Sequence, residues 1–173
     1  MIIKYRIISG EDENFVRDIE IYSDNTFLDL HMAIQAACNY DPSLLTTFFL
    51  SNASWDKVQE IILEKIDEES QADLMLMSDT RLDTFTPVIG QRYIYIFDFF
   101  SIRSFFIEIV NIREAVKEDF KLQFPICTLS KSKAPEQVFV DDINEDDFMD
   151  ETEDDFEEGF DQYDLDSIND FDI

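Results

Sequence analysis

Three glycines, Gly10, Gly90 and Gly159, are all that the 173 residues contain. A phosphate-cradling loop, a dinucleotide fingerprint or a nucleophile elbow each needs more glycine than that, at closer spacing, so the enzyme classes built on them are excluded. Histidine occurs once, at His31, and cysteine twice, at Cys38 and Cys127 with no CxxC pair. That set cannot assemble a zinc site, and the cysteines read as buried, reduced thiols. Arginines 6, 17, 81, 92, 103 and 113 are scattered rather than clustered as a serine recombinase would need. A calcium loop is half-written at Asp142, Asn144, Asp146 and Glu153, but Asp147 stands where the loop needs glycine,. No metal and no cofactor is expected.

Long apolar runs are also missing. The most hydrophobic stretch, 93–110, carries Asp98, Arg103 and Glu108 and is rich in aromatic and β-branched residues, which is strand composition rather than a bilayer span. The opening MIIKYRIIS lacks a basic region followed by a cleavage site, so a cytoplasmic location is expected. Basic residues are scarce: 40 Asp and Glu face 13 Lys and Arg, giving a formal charge of -27. Residues 1–140 hold 23 acidic and 13 basic residues, whereas 141–173 hold 17 acidic residues and no Lys or Arg. This asymmetry predicts a globular body and an acidic tail. It also disfavours direct binding to nucleic acid or to anionic membranes, where affinity depends on positive charge.

What is present is a 45% hydrophobic fraction with 17 Phe, enough for a packed core. Ile3, Tyr5 and Ile7 alternate with Lys4 and Arg6, and Ile19 and Ile21 with Asp18 and Glu20. Period two over 2–9 and 16–22, with turn residues between, predicts a β-hairpin. Phe27, Leu30, His31, Ile34, Ala37 and Cys38 then recur at helical spacing, predicting an amphipathic helix over 27–39 with Thr26 and Asp29 as a capping box and Asp41-Pro42 closing the segment,. Strands are expected at 46–52 and 58–65, and a short helix at 79–86 with Asp79 as N-cap and Pro87 as stop. The runs 92–99 and 103–113 should form the central hairpin, joined by a turn at 99–102 that lacks the usual Gly or Asn. From 125 onward an extended, partly basic loop is expected around Pro125 and Pro135. The predicted fold is α+β, mostly antiparallel sheet with a ββα start and one main covering helix over 1–137. An acidic, aromatic tail over 138–173 should be disordered when free.

The landmarks TFLDLHMAIQ, YIYIFDFFS and FPICTLSKSKAPE, in this order and spacing, resemble the plasmid ORF-three-like family, also labelled an insertion-element passenger or TnpR-like domain. Leu30, His31, Ile34 and Gln35 match the family's first-helix pattern, and Tyr95, Asp98 and Phe99 match its aromatic strand. Phe100, Ser101, Arg103 and Phe105 stand where that strand usually carries Gly, Asp, Trp and His. The resemblance spans 1–137 and implies an α+β fold and a mobile-element association, with no established activity.

Four sets of residues invite functional readings. His31 with Asp98 or Glu108 could act as a general base at a cleft, but its place on the apolar helix face favours an imidazole hydrogen-bonded in the core. Trp55 could anchor a partner or cap the sheet edge. Phe97, Phe99, Phe105 and Phe106 read as core. In the tail, Phe156, Phe160 and Tyr163 sit at offsets 0, 4 and 7, so a helix formed on binding would present all three on one face. The sequence therefore points to a non-enzymatic interaction or accessory module whose tail engages a basic protein partner. The alternative is a mobile-element accessory factor or enzyme acting near His31 and Asp98.

Overall fold

The computed structural model describes residues 1–65 and 74–138. The tail, with Phe148, Phe156, Phe160, Tyr163 and Phe171 and the half-written calcium loop, lies outside the described residues. Eight strands form one sheet: β1 (Ile2–Ser9), β2 (Val16–Tyr22), β3 (Thr47–Ser51), β4 (Lys57–Ile62), β5 (Met75–Leu76), β6 (Arg92–Asp98), β7 (Arg103–Arg113) and β8 (Ile126–Lys131). Their spatial order is β5-β4-β3-β6-β7-β1-β2-β8, antiparallel throughout except for the parallel β4–β5 pair. The β6–β7 hairpin occupies the middle, where Tyr93 to Asp98 of β6 are all buried. The helix α1 (Phe27–Cys38) follows the opening β1–β2 hairpin.

Helix α1 forms where the spacing predicts. Thr26 accepts the Asp29 N–H through Oγ1 at 3.3 Å, and the Asp29 carboxylate accepts the Thr26 N–H at 2.8 Å, a complete capping box,. Asn39, in the left-handed region at φ 57°, ends the helix,, just before the predicted stop. The buried face comprises Phe27, Leu30, His31, Ile34, Gln35 and Cys38. Gln35 therefore joins the predicted face, whereas Ala37 is only half-buried. Opposite lie Tyr5, Ile7, Ile19, Phe48, Tyr93, Tyr95, Phe97, Phe105 and Ile107, all buried. Phe97 and Phe105 meet at 4.4 Å between ring centroids, inside the range of favourable aromatic contact,.

The other face of the sheet is covered by no α-helix among the described residues; the 3-10 turn Asp119–Lys121 reaches it through Arg113. This face is held by cross-strand ion pairs instead: Lys4–Glu20 at 2.9 Å, Arg6–Asp18 at 2.8 Å, and Arg92–Glu108 at 3.1 Å. Arg113 bridges Glu20 and Asp119 at 3.0 and 2.6 Å. Side chains opposed on neighbouring strands lie close enough for such pairs to form with little rearrangement.

Several expectations need correction. The segment after Pro125 is strand β8, paired with β2, not a loop. Its reason is Arg17, only 4% exposed. The guanidinium donates to the carbonyls of Val16 (2.9 Å), Ala37 (3.0 Å), Lys131 (2.7 Å) and Ser132 (2.9 Å). One cation thus gathers β2, the end of β8 and the negative end of the helix dipole. The short helix is a 3-10 turn at Leu82–Phe85 preceded by Arg81, with no side-chain cap, so Asp79 caps nothing. Phe99 is 41% exposed and Phe106 half-buried, so neither belongs to the core with Phe97 and Phe105. The glycine-free turn works because Asp98 Oδ1 accepts the N–H groups of Phe100 (3.0 Å) and Ser101 (3.2 Å), as aspartate does in Asx turns. The cost falls on Ile102, a β-branched residue at φ 54°,.

Replacing Arg17 with Ala should lower unfolding stability by about 3 kcal/mol, since several buried carbonyls lose their donor together. Denaturant melts should show Arg17→Lys in between, because an ammonium lacks the fork that spans three chain segments.

Candidate functional site

Residues at i and i+4 share a helix face, so His31 and Gln35 of α1 point together at β6. Alternation along β6 turns Tyr93, Tyr95 and Phe97 toward them. The three side chains meet at the Tyr95 hydroxyl, with Gln35 Nε2 donating to it at 2.6 Å and His31 Nδ1 lying 2.8 Å away. Thr46, just ahead of β3, places Oγ1 3.2 Å from His31 Nδ1. Gln137 Nε2 reaches Gln35 Oε1 at 3.4 Å and donates to the Asp41 carbonyl at 3.0 Å. The Tyr40 hydroxyl donates to the Pro135 carbonyl at 2.6 Å. The segment 134–137 is thereby strapped across the end of the helix.

The Tyr95 oxygen accepts from Gln35, and the imidazole meets the Tyr95 and Thr46 hydroxyls through Nδ1, with the direction of those two bonds set by the ring tautomer,. His31 is 1% exposed and Nε2 has no hydrogen-bond partner. Burial pushes the imidazole pKa down to about 4, against an opposing pull from the Pro42 backbone,. Burial likewise raises the Tyr95 hydroxyl, against the opposing hydrogen bonds from Thr46 and Gln35. At neutral pH the cluster is uncharged and sealed. Chemically it is a staple between helix and sheet, because directional hydrogen bonds fix an orientation that apolar contacts leave free.

The residues singled out from the sequence fall in separate places. His31 shares no hydrogen bond with Asp98 or Glu108: Asp98 holds the β6–β7 turn and lies 3.7 Å from Arg103, and Glu108 pairs with Arg92. Trp55 sits half-buried on the ion-paired face at φ 67°, its ring edge-on to Phe106 at 4.9 Å and under the Arg92 guanidinium at 4.8 Å. Arg92 also donates to the Ala53 carbonyl, fixing the loop that carries Trp55. Among the described residues no group of His, Cys, Asp and Glu is arranged to hold a metal, and no helix is long and apolar enough to cross a membrane. Gln35 and Thr46 were not legible as site residues. Gln35 carried a signal, four residues after His31, but Thr46 carried none.

Two predictions follow from the buried imidazole. His31→Gln should reduce stability at neutral pH by roughly 1 to 3 kcal/mol, because Tyr95 and Thr46 lose a matched partner. The pH dependence has a definite sign. The folded pKa lies below the unfolded value near 6.5, so the unfolded chain binds the proton first and stability falls as pH drops from about 6.5 toward 4,. Denaturant titrations across this window should show a loss of roughly 2 to 3 kcal/mol in the wild type that His31→Gln lacks. Carboxylates held low, Asp29 and Glu20 among them, lose their contribution at lower pH, below their unfolded values of 3.8 and 4.5.

Comparison with known proteins adds a family and a fold. No curated protein matches the chain. The crystal structure of a protein of unknown function from Methanosarcina mazei Go1 superposes with a TM-score of 0.63 at 21% identity, covering 78% of this chain and 71% of that one, a likeness of fold alone. The model of the plasmid pRiA4b ORF-3-like proteins matches residues 4–168, running beyond residue 137, where the resemblance read from the sequence stopped. His31, Gln35 and Tyr95, three of the residues that carried that resemblance, are the ones the fold brings to one hydroxyl, and the chain belongs to the plasmid pRiA4b ORF-3-like family.

Proposed function

We propose that this chain is a non-enzymatic interaction or accessory module, in which the folded part is a scaffold and the acidic, aromatic tail engages a basic protein partner. The observation that carries this reading is the distribution of charge: 17 carboxylates and no Lys or Arg in 141–173. Long-range attraction of a basic partner follows from that field. Phe156, Phe160 and Tyr163 then supply apolar contact that charge alone does not give. Gly159 makes a helix there costlier by about 1 kcal/mol than alanine would, which suits an element that orders on binding.

Two features of the folded part support a scaffold role. The cations Lys4, Arg6, Arg92 and Arg113 are matched to carboxylates on one sheet face, which leaves them poorly disposed toward phosphates,. His31, the one candidate base, is sealed in the core with a depressed pKa. The alternative, a mobile-element accessory factor or enzyme near His31 and Asp98, would need both residues to face one substrate, whereas each is engaged elsewhere.

Lysate pull-downs with and without residues 141–173 test the reading. Deletion should abolish capture of basic proteins. The affinity of a captured partner should fall with salt and drop at least tenfold in a Phe156, Phe160, Tyr163 triple alanine variant. Undiminished capture by the truncated chain contradicts the proposal, and equal affinities for wild type and triple variant would show a tail acting through charge alone.

A further inference from the structure

On the ion-paired face of the sheet one carboxylate stands apart. Asp18, Glu20 and Glu108 each meet an arginine or lysine there, but Glu60 of β4 forms no ion pair with a described residue. The register pairs Phe49 with Glu60 and Thr47 with Ile62, while Phe48 and Ile61 point into the core. Glu60, Thr47 and Ile62 therefore share the face opposite α1. The Thr47 hydroxyl lies 3.2 Å from Glu60 Oε1, with its single proton nearer the Ile61 carbonyl at 3.0 Å. Lys57, the neighbouring cation, lies over the Phe49 ring at 4.3 Å instead.

Glu60 borders a cavity of about 260 Å³ whose apolar walls are Leu45, Ile62, Leu74 and Phe99, with Glu64, which forms no ion pair with a described residue, at its edge. The volume lies below the roughly 300 to 1,000 Å³ of clefts for drug-sized ligands, so it suits one side-chain-sized group. Apolar walls thin the surrounding water and strengthen attraction to a counter-charge. Phe99 leads into the β6–β7 tip, where Phe100 is 98% and Ile102 71% exposed. An apolar shelf of this kind beside a pocket marks contact with another molecule.

We propose that this cavity receives a cationic group on an aliphatic stem, the side chain of a lysine or arginine presented by a protein partner, with its stem against Leu45, Ile62, Leu74 and Phe99 and its charge at Glu60 and Glu64. The partner's identity as a basic protein rests on the functional reading above; the cavity's preference for a cation does not. Residues flanking the inserted side chain pack on Phe100 and Ile102.

Methyl-labelled full-length protein titrated by NMR with hexylammonium, hexanol and hexanoate tests this directly. Hexylammonium should shift the methyl signals of Leu45, Ile62 and Leu74, hexanol should bind several-fold more weakly, and hexanoate should leave the signals unmoved. A Glu60→Gln, Glu64→Gln variant should weaken hexylammonium about tenfold, as loss of a charge-assisted contact implies, and leave hexanol unchanged, which reports an intact cavity. Acetyl-Leu-Lys-Leu-amide should displace hexylammonium where acetyl-Leu-Gln-Leu-amide does not. Equal binding of hexylammonium and hexanol, an undiminished response in the double variant, or failure of the lysine peptide to compete overturns the proposal. The same titration in the triple alanine tail variant should be unaltered, so failure of the tail reading and failure of this site are told apart.

Discussion

Among the described residues a single α-helix of twelve residues covers one face of an eight-stranded sheet, and the arrangement depends on how that seam is locked. Apolar packing of Phe27, Leu30 and Ile34 supplies most of the attraction but little directionality,. Direction comes from the Tyr95 hydroxyl, which engages both His31 and Gln35. A buried polar group is costly when unpaired, so sliding or rotating the helix would leave several unpaired together. Arg17 does the same at the far end, where the Ala37 carbonyl, β2 and the close of β8 share one guanidinium.

The two faces of the sheet answer different demands. Under α1 the strands present aromatic rings in contact, where the Tyr95 hydroxyl is matched by His31 and Gln35 while the buried Tyr5 hydroxyl and His31 Nε2 find no partner. On the other face the strands β1, β2, β6 and β7 set arginine and lysine against carboxylates across the ladder. Individual exposed pairs contribute little to stability. Their larger effect is to match the cations of β1, β6 and β7 to carboxylates, while the net charge of the whole chain stays acidic. Glu60 continues that pattern without a cation of its own among the described residues, which ties the cavity to the charge logic of the whole chain.

Local pattern made much of this legible. Alternation at Ile3, Tyr5 and Ile7, helical spacing from Phe27 to Cys38, and the Thr26–Asp29 box each encode structure within a few residues, and each element forms there. What escaped was non-local. Strand β8 exists because Arg17 and the edge of β2 wait for it more than a hundred residues away, and the two-residue β5 has too little sequence to show a period,. Phe106 looks like core until the β3–β4 loop delivers Trp55 onto the opposite face. The His31–Gln35 pair could be read as one helix face, but its partner Tyr95 lies 60 residues beyond Gln35, and only the resemblance to a family placed the three in one frame.

A double-mutant cycle between His31→Gln and Tyr95→Phe, read by denaturant unfolding at neutral pH, tests the seam most directly. If the Tyr95 hydroxyl locks the helix to the sheet through His31, the two losses should fail to add by about 1 kcal/mol or more, because the second substitution removes an interaction the first has already broken. Losses that add to within about 0.3 to 0.5 kcal/mol, as for independent sites, would show that packing alone holds the helix in place and would contradict the account.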